Sequence, residues 1–426
     1  MSENKKNVPK RRFKEFENDG GWKQRKLEEV FDFSVSNNTL SRAELNYDEG
    51  EVKSIHYGDV LIKYGAYTDV VSDEIPYITE GKVADYKVQL LQNGDIIIAD
   101  TAEDETTGKA TEITNLQDIA VVAGLHTIVC RPIVKMAPYY LGYYMNSDSY
   151  HKQLLPLMQG IKVLSLSRGN LVKTTIKYPT DKEEQAQIGI FFHRLDNLIT
   201  LHQRKLEKIK ALKKAYLTDM FPAEGERKPK LRFSGFTDDW EQRKLGEVAI
   251  VRTGYPFDSN DFDDKGEYLV ITNGNIQNDS PIVDSSLGSR VNFNNAALSE
   301  YVLNPDDILV TMDGTVGRTA KVVEQKQILA QRVGRLTAKS DPEFVYQFLN
   351  TGEFFKKMAL ISHGGTIKHI SLNEISSYIS CMPSSSEEQT KIGTFFKSVD
   401  NLINLHQHKL EKLQNIKKAY LNEMFI

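Results

Sequence analysis

Three sets of residues in this sequence are of types that could do chemistry, and each falls short of a complete motif. Thr107-Gly108-Lys109 has the Gly-Lys step of a phosphate-binding loop, which needs a further glycine at position 103 and a hydroxyl after the lysine. Glu103 and Ala110 stand there instead. Pro305-Asp306 with Glu324-Gln325-Lys326 offers the acids and lysine of a metal-dependent nuclease, but the first half of the chain has no counterpart. Cys130 and Cys381 lie far apart and outside any C-x-x-C spacing, so they read as reduced thiols, neither metal ligands nor a staple. No Asp/Asn-Pro-Pro-Tyr/Phe motif is present, and no Ser-His-Asp or Cys-His arrangement stands out. The chain is expected to hold no catalytic residue, no metal and no cofactor.

What remains is chemistry of contact. Polar and small residues concentrate in four loops, Thr101 to Lys109, Gln159 to Arg168, Asp313 to Arg318 and His363 to Lys368. Each half pairs a glycine with a base, Gly108-Lys109 and Gly317-Arg318, and carries a further lysine, Lys162 or Lys368. Loops of this kind suit phosphates and base edges, because cations meet phosphate oxygens while short polar side chains reach donors and acceptors in a groove. The candidate DNA contacts are Lys109, Lys162, Arg168, Arg318, Lys368 and His369.

These loops are positioned by a repeat. Glu183 to Phe221 and Glu387 to Phe425 align without a gap at an offset of 204 and agree at 25 of 39 positions. Each half also opens on an echo: Trp22 begins WKQRKLEEV and Trp240 begins WEQRKLGEV, with Pro9-Lys10-Arg11-Arg12-Phe13 and Pro229-Lys230-Leu231-Arg232-Phe233 upstream. Between the echoes the bodies diverge. Asn93 to Ile98 matches Pro305 to Val310, and Ile161 to Leu166 matches Ile367 to Leu372, at offsets that step from 218 through 212 and 206 to 204. One frame with loops of different length produces such a drift.

Each repeated segment has a single glycine and no proline, and its apolar residues step by fours and threes. Ile188, Phe192, Leu195, Ile199, His202 and Leu206 form one seam; Ile392, Phe396, Val399, Ile403, His406 and Leu410 form the other. Both continue to Met220 and Met424 through Lys213 and Lys417. A heptad held this long predicts a coiled coil, and at about 1.5 Å per residue each helix reaches nearly 60 Å. The simplest partner for one stripe is the other. The order body, helix, body, helix favours an antiparallel pair with one body at each end. His202 and His406 read as polar seam residues that set register, and Lys205, Lys208, Lys213 and Lys214 as a solvated face. Phe191, Leu198, Leu201 and Leu217, with Phe395, Leu402, Leu405 and Leu421, widen each stripe beyond a two-helix seam and suggest two equivalent surfaces for another protein.

At 426 residues the chain exceeds one compact core. The bodies mix strand-like runs (95–99, 120–123, 127–130, 307–311) with helical stretches (138–159, 342–358). The expected architecture is therefore α/β: two mixed α/β domains joined by two long antiparallel coiled-coil helices in a pseudo-twofold repeat. Its segments are a basic flexible tail (1–20), a first body (21–182), a central helix (183–221), a linker (222–236), a second body (237–386) and a C-terminal helix (387–426). Net charge is −4, against the basic excess common in nucleic-acid binders. That sum does not exclude local clusters, nor attraction supplied by a partner. No secretory signal or apolar run long enough to span a bilayer is evident, so a cytoplasmic location without membrane contact is expected.

The pattern resembles the specificity subunits of type I restriction–modification systems. The residues that carry the resemblance are Pro179 with Glu183-Glu184-Gln185, Pro383 with Glu387-Glu388-Gln389, and, in the second body, Asp306 to Val310, Asp313-Gly314, Val316-Gly317-Arg318 and Ile367 to Leu372. The first body departs at Asp100-Thr101-Ala102, where the Asp-Gly step is absent. The resemblance implies two target-recognition domains, each reading one half of a bipartite double-stranded DNA site, with half-sites about one helical turn apart. It also implies helices that act as a ruler and dock two methyltransferase (M) subunits, and a motor–nuclease restriction (R) subunit that completes the complex. S-adenosylmethionine, ATP and magnesium would belong to those partners. A coiled-coil scaffold that reads no DNA, and a nuclease using Asp306, Glu324 and Lys326, are the alternatives. Salt-sensitive, sequence-dependent binding separates the first reading from the scaffold, and magnesium-dependent cleavage would single out the nuclease.

Overall fold

A computed structural model describes residues 7–278, 280–292 and 296–426. The chain divides into two compact units, Met1–His202 with Lys409–Ile426, and Gln203–His408. The unit boundaries fall within the two long helices, Lys182–Asp219 and Ser386–Met424, rather than at their ends.

Each unit is built on a strand buried on both faces. In unit 1 this is Ile96–Ala99, which pairs antiparallel with Thr127–Pro132 and Ala110–Thr114 in a five-stranded sheet. Alternation sends Ile96 and Ile98 into a core with Tyr140 and Phe192, and Ile97 and Ala99 into a second core with Val35 and Val60. That double burial is why the strand reads as an unbroken apolar run. In unit 2 Ile308–Thr311 does the same work in a four-stranded sheet. Ile308 and Val310 join Trp240 and Phe396, and Leu309 joins Val322 and Leu329. Each buried aliphatic side chain contributes about 1.5–3 kcal/mol. Asp95 precedes the first strand and holds Arg131 through Nε and a terminal nitrogen at 2.9 and 2.7 Å; Asp307 holds Arg335 at 2.7 Å. The stretch 138–159, read as helical, is two helices, Tyr140–Met145 and Asp148–Leu154; 342–358 is likewise Pro342–Leu349 and Glu353–Ile361.

Within each unit the start of one long helix packs antiparallel on the end of the other. In unit 1 Phe192 stacks on Phe425 with ring centroids 5.6 Å apart, Phe191 meets Tyr420, and Asp196 pairs with Lys417 at 2.6 Å. In unit 2 Phe396 meets Phe221, Phe395 meets Tyr216, and Asp400 pairs with Lys213 at 2.7 Å. Lys213 and Lys417 are therefore largely buried ion-pair partners in the seam, a correction to the solvated-face reading. Burial along both helices follows the heptad, with Ile188, Phe192, Leu195, Leu206, Ile392 and Phe396 buried and Ile199, His202, Val399, Ile403, His406 and Leu410 partly so. Gly189 and Gly393 are small for a reason: a Cβ would lie 2.5 Å from the Pro138 carbonyl oxygen or the Asp341 carboxylate.

The opening motifs form a clasp on each helix start. Arg12 gives two hydrogen bonds to Glu184, both 2.6 Å, and the Trp22 indole donates to the same carboxylate at 3.3 Å. Arg232 and Trp240 repeat this on Glu388 at 2.6, 2.8 and 3.4 Å. Gln185 and Gln389 donate to the carbonyls of Pro179 and Pro383, which gives the Pro…Glu-Glu-Gln pattern its structural role. Phe13 and Phe233 close over Phe191 and Phe395. Residues 7–20, expected to be a flexible tail, and the linker 222–236 thus carry packed side chains; Met1 to Lys6 lie outside the described residues. No described helix is long and apolar enough to cross a membrane.

Candidate nucleic-acid interface

Two loops and one corner meet in each unit, and the same backbone hydrogen bonds hold them. In unit 1 the hairpin Gln159–Ser165 is closed by reciprocal main-chain bonds of 2.9 and 2.8 Å, and Leu164–Ser165 pairs with Thr101–Ala102. In unit 2 His363 and His369 close their hairpin at 2.9 and 2.8 Å, and His369 bridges to Asp313. Leu166 N–H donates to the Asp100 carbonyl as Ile370 N–H donates to that of Met312. Beyond each hairpin a serine, Ser167 or Ser371, caps a short helix.

These pairings correct one expectation. The hairpins correspond at the helices' own offset of 204, because the closing pair Gln159–Ser165 matches His363–His369 residue for residue. The offset of 206 inferred for this stretch is a coincidence of similar side chains. Lys162 thus stands where unit 2 has Thr366, and Lys368 where unit 1 has Leu164.

The corner was not foreseen. His126 and Arg332 precede equivalent strands with φ of +55° and +67°, in the left-handed region that side chains other than glycine seldom enter. Their carbonyls accept from Asp100 and Met312 N–H. The His126 ring lies 3.4 Å from the Asp100 carboxylate, and Arg332 lies 3.1 Å from Asp313. Because Asp100 and Met312 make equivalent main-chain bonds, Asp313 corresponds to Thr101, so the carboxylate has moved one residue along the loop while the contact persists. Two exposed bases with left-handed backbone thus stand at one station in both units, which makes the corner a candidate functional position. The sequence signal, an aligned His and Arg just before a strand, was too small to stand out.

The predicted contacts separate into groups. Lys162 and Lys368 are exposed at the hairpins, Arg168 is exposed with its guanidinium 5.6 Å from the Phe33 ring, and His369 is exposed beside Asp313 at 4.0 Å. His363 lies 3.4 Å from Glu374, whose carboxylate is held below its usual range by the Ser371 N–H. Lys109 departs from expectation: its ammonium donates to the Leu61 carbonyl at 2.8 Å, and burial lowers its pKa. Arg318 is half-buried, with an Nε that meets no partner among the described residues. These two turn inward because the glycine before each has a positive φ, +90° at Gly108 and +81° at Gly317, with its N–H given to Ala99 or Thr311. Thr107, Gly108 and Lys109 N–H donate to the carbonyls of Asp104, Ala99 and Thr106, which occupies the amides that an anion cradle there would need free.

Lys326, proposed for the nuclease alternative, pairs with Glu267 at 3.1 Å, while Asp306 sits in a tight turn at φ +72°. Among the described residues no group of three or more His, Cys, Asp or Glu side chains is placed to hold a metal ion. Cys130 and Cys381 are free, and burial raises both thiol pKa values away from the reactive range. On the helices Leu198, Leu201, Leu402 and Leu405 remain about half exposed, whereas Phe191 and Phe395 are taken up by the clasps.

A doubled α/β body carried on a doubled helix, with matched loop frames, defines a class. The chain belongs to the family described as the type I restriction modification DNA specificity domain, whose model matches residues 19–211 and again 237–415. A Methanocaldococcus jannaschii protein provisionally named type I restriction enzyme MjaX specificity subunit is 23% identical over 415 residues, covering 94% of this chain and 92% of that one. The type I restriction enzyme MjaVIII specificity subunit of the same organism is 26% identical over 256 residues, 56% of this chain and 59% of that one. In fold, the chain is similar to a solved type I restriction–modification S subunit from M. genitalium, with a TM-score of 0.61 at 14% identity, covering 98% of this chain and 99% of that one.

Proposed function

We propose that this chain chooses the DNA sequence for a type I restriction–modification complex and catalyses nothing itself. Each unit reads one half of a bipartite double-stranded site through its hairpin and corner. The paired helices set the unspecified spacer and present Leu198, Leu201, Leu402 and Leu405 to two methyltransferase subunits, and restriction subunits complete the assembly. S-adenosylmethionine, ATP and magnesium belong to those partners, in the cytoplasm.

One observation carries this reading. The loop frames of the two units share their backbone hydrogen bonds but not their side chains, while the helices agree at 25 of 39 positions. A shared frame with divergent surfaces suits two different half-sites, and near-identical helices suit the same partner twice.

The test exchanges residues 22–179 for the corresponding body of a relative and maps methylated adenines in cells carrying the methyltransferase. A change in one half of the methylated motif, with the other half and the spacer retained, is expected. An unchanged motif would mean that the bodies do not read DNA and that the chain is a scaffold.

A further inference from the structure

Each hairpin ends in an apolar side chain that the fold leaves in solvent. Ile161 is 100% exposed and Val163 49%; Ile367 is 66% exposed. Isolated exposed aliphatics are ordinary, but these two crown loops held by the same pair of main-chain bonds in units whose surfaces otherwise differ. The loops are built to present them. Gly160 and Gly364 adopt φ of +128° and +101°, and a Cβ at either would lie 1.8 or 2.2 Å from the carbonyl oxygen of Val163 or Ile367. The chain therefore doubles back within five residues, with its tip projecting.

Two features point to the occupant. Each apolar tip has an exposed lysine beside it, Lys162 or Lys368, with Arg168 or His369 further along the loop. Each lysine stands beside its tip, where a cation can meet a phosphate oxygen. A surface docking one protein twice would also be matched residue for residue, as the helices are. Here Gly-Ile-Lys-Val-Leu in one tip answers Gly-Gly-Thr-Ile-Lys in the other.

Resting on the DNA-reading function above, we propose that the hairpin tips enter a groove of duplex DNA and that Ile161 and Ile367 make apolar contact with the bases. The neighbouring lysines hold phosphates. Aliphatic side chains gain in a groove against thymine methyl groups or against a partly unstacked base step, a contribution independent of counterions.

The test uses the chain bound to its methyltransferase subunits and a duplex carrying the motif mapped in cells, with a scrambled duplex as control. Ile161→Ser is expected to weaken specific binding about tenfold at every salt concentration, leaving the slope of log affinity against log salt unchanged. Lys162→Ala is expected to weaken binding while making that slope shallower by about one. Ile367→Ser and Lys368→Ala should repeat the pair for the other half-site. Wild-type affinity for Ile161→Ser and Ile367→Ser, with the lysine variants impaired, overturns the apolar contact and leaves the DNA reading standing. Reduced methyltransferase co-purification with Ile161→Ser would overturn it in favour of protein docking. Equal binding of specific and scrambled duplexes by the wild-type complex would overturn the DNA reading, and this inference with it.

Discussion

The two units reach the same frame by different chemistry, and the differences show which parts are constrained by geometry and which by side-chain identity. In unit 2 the helix Pro342–Leu349 is capped locally, the Asp341 carboxylate accepting from Phe344 N–H. Unit 1 lacks that aspartate, and Glu112 reaches across from the sheet to accept from Tyr139 and Gly142 N–H. The place of Glu112 is taken in unit 2 by Lys321, which pairs with Glu343 at 2.7 Å. Asp196 is held by the Tyr143 hydroxyl, Asp400 by the Gln347 amide, each at 2.7 Å. The clasps differ in covalent connection. In unit 2 a continuous linker brings Leu231 N–H to the Asp219 carbonyl, whereas in unit 1 the chain's two terminal segments make the equivalent bond, Arg11 to Glu423. Conserved hydrogen-bond geometry with exchanged donors means that the frame, not any one pair, is what both halves preserve.

The clasp offers the strongest way to break the comparison. Glu184→Ala and Glu388→Ala each take the carboxylate from a partly buried arginine that keeps only main-chain carbonyls, and each is expected to cost about 3 kcal/mol. The loss should be confined to the unit that carries the change, as hydrogen exchange of the two units separately would report. Equal loss of protection in both units from a single change would refute their independence.

A pH dependence should distinguish the units next. Burial pushes Glu112 up to about 7, above the value near 4.5 of an exposed glutamate. The folded state binds the proton more tightly, so protonation stabilises unit 1 fully below about 4.5, and that contribution is lost as pH rises through 7. Between pH 5 and 8 unit 1 should lose about 2–3 kcal/mol relative to Glu112→Gln, whose unfolding midpoint should be flat from this source. A Gln variant with the wild-type slope would place the titration elsewhere.

The seam pairs rank below this. Lys417→Met and Lys213→Met should each change stability by about 1–2 kcal/mol, since each removes one charge-assisted bond to a largely buried aspartate that keeps a second donor. Matched values in denaturant unfolding would sharpen the equivalence of Tyr143 and Gln347 as the remaining donors; a much larger loss in one unit would break it. The corner should give the smallest effect and the opposite sign. His126→Gly and Arg332→Gly relieve left-handed backbone and should raise stability by about 0.5–1 kcal/mol while weakening DNA binding. A corner that loses neither strain nor affinity would not be a functional station.

The helices and their apolar faces were legible because a heptad is a local pattern: Ile188 and Phe192 lie on one face of any helix their sequence forms. The buried strands were legible for the same reason, as runs such as Ile96-Ile97-Ile98. The hairpins were legible as polar loops, but similar residues two positions apart misaligned them, and only the closing hydrogen bonds make Lys368 the equivalent of Leu164. Lys109 looked like a contact residue by type. Its direction depends on the positive φ of Gly108 and on a carbonyl, that of Leu61, 48 residues away.

What the sequence determined by itself was therefore the repeat, the helical seam and the family, all carried by residues close together or copied along the chain. The tertiary structure decided which cations face solvent, that His126 and Arg332 occupy equivalent corners of their own units, and that Arg12 and Arg232 pair with glutamates more than 150 residues distant. Those outcomes depend on backbone handedness and long-range pairing, which residue type and spacing do not encode on their own.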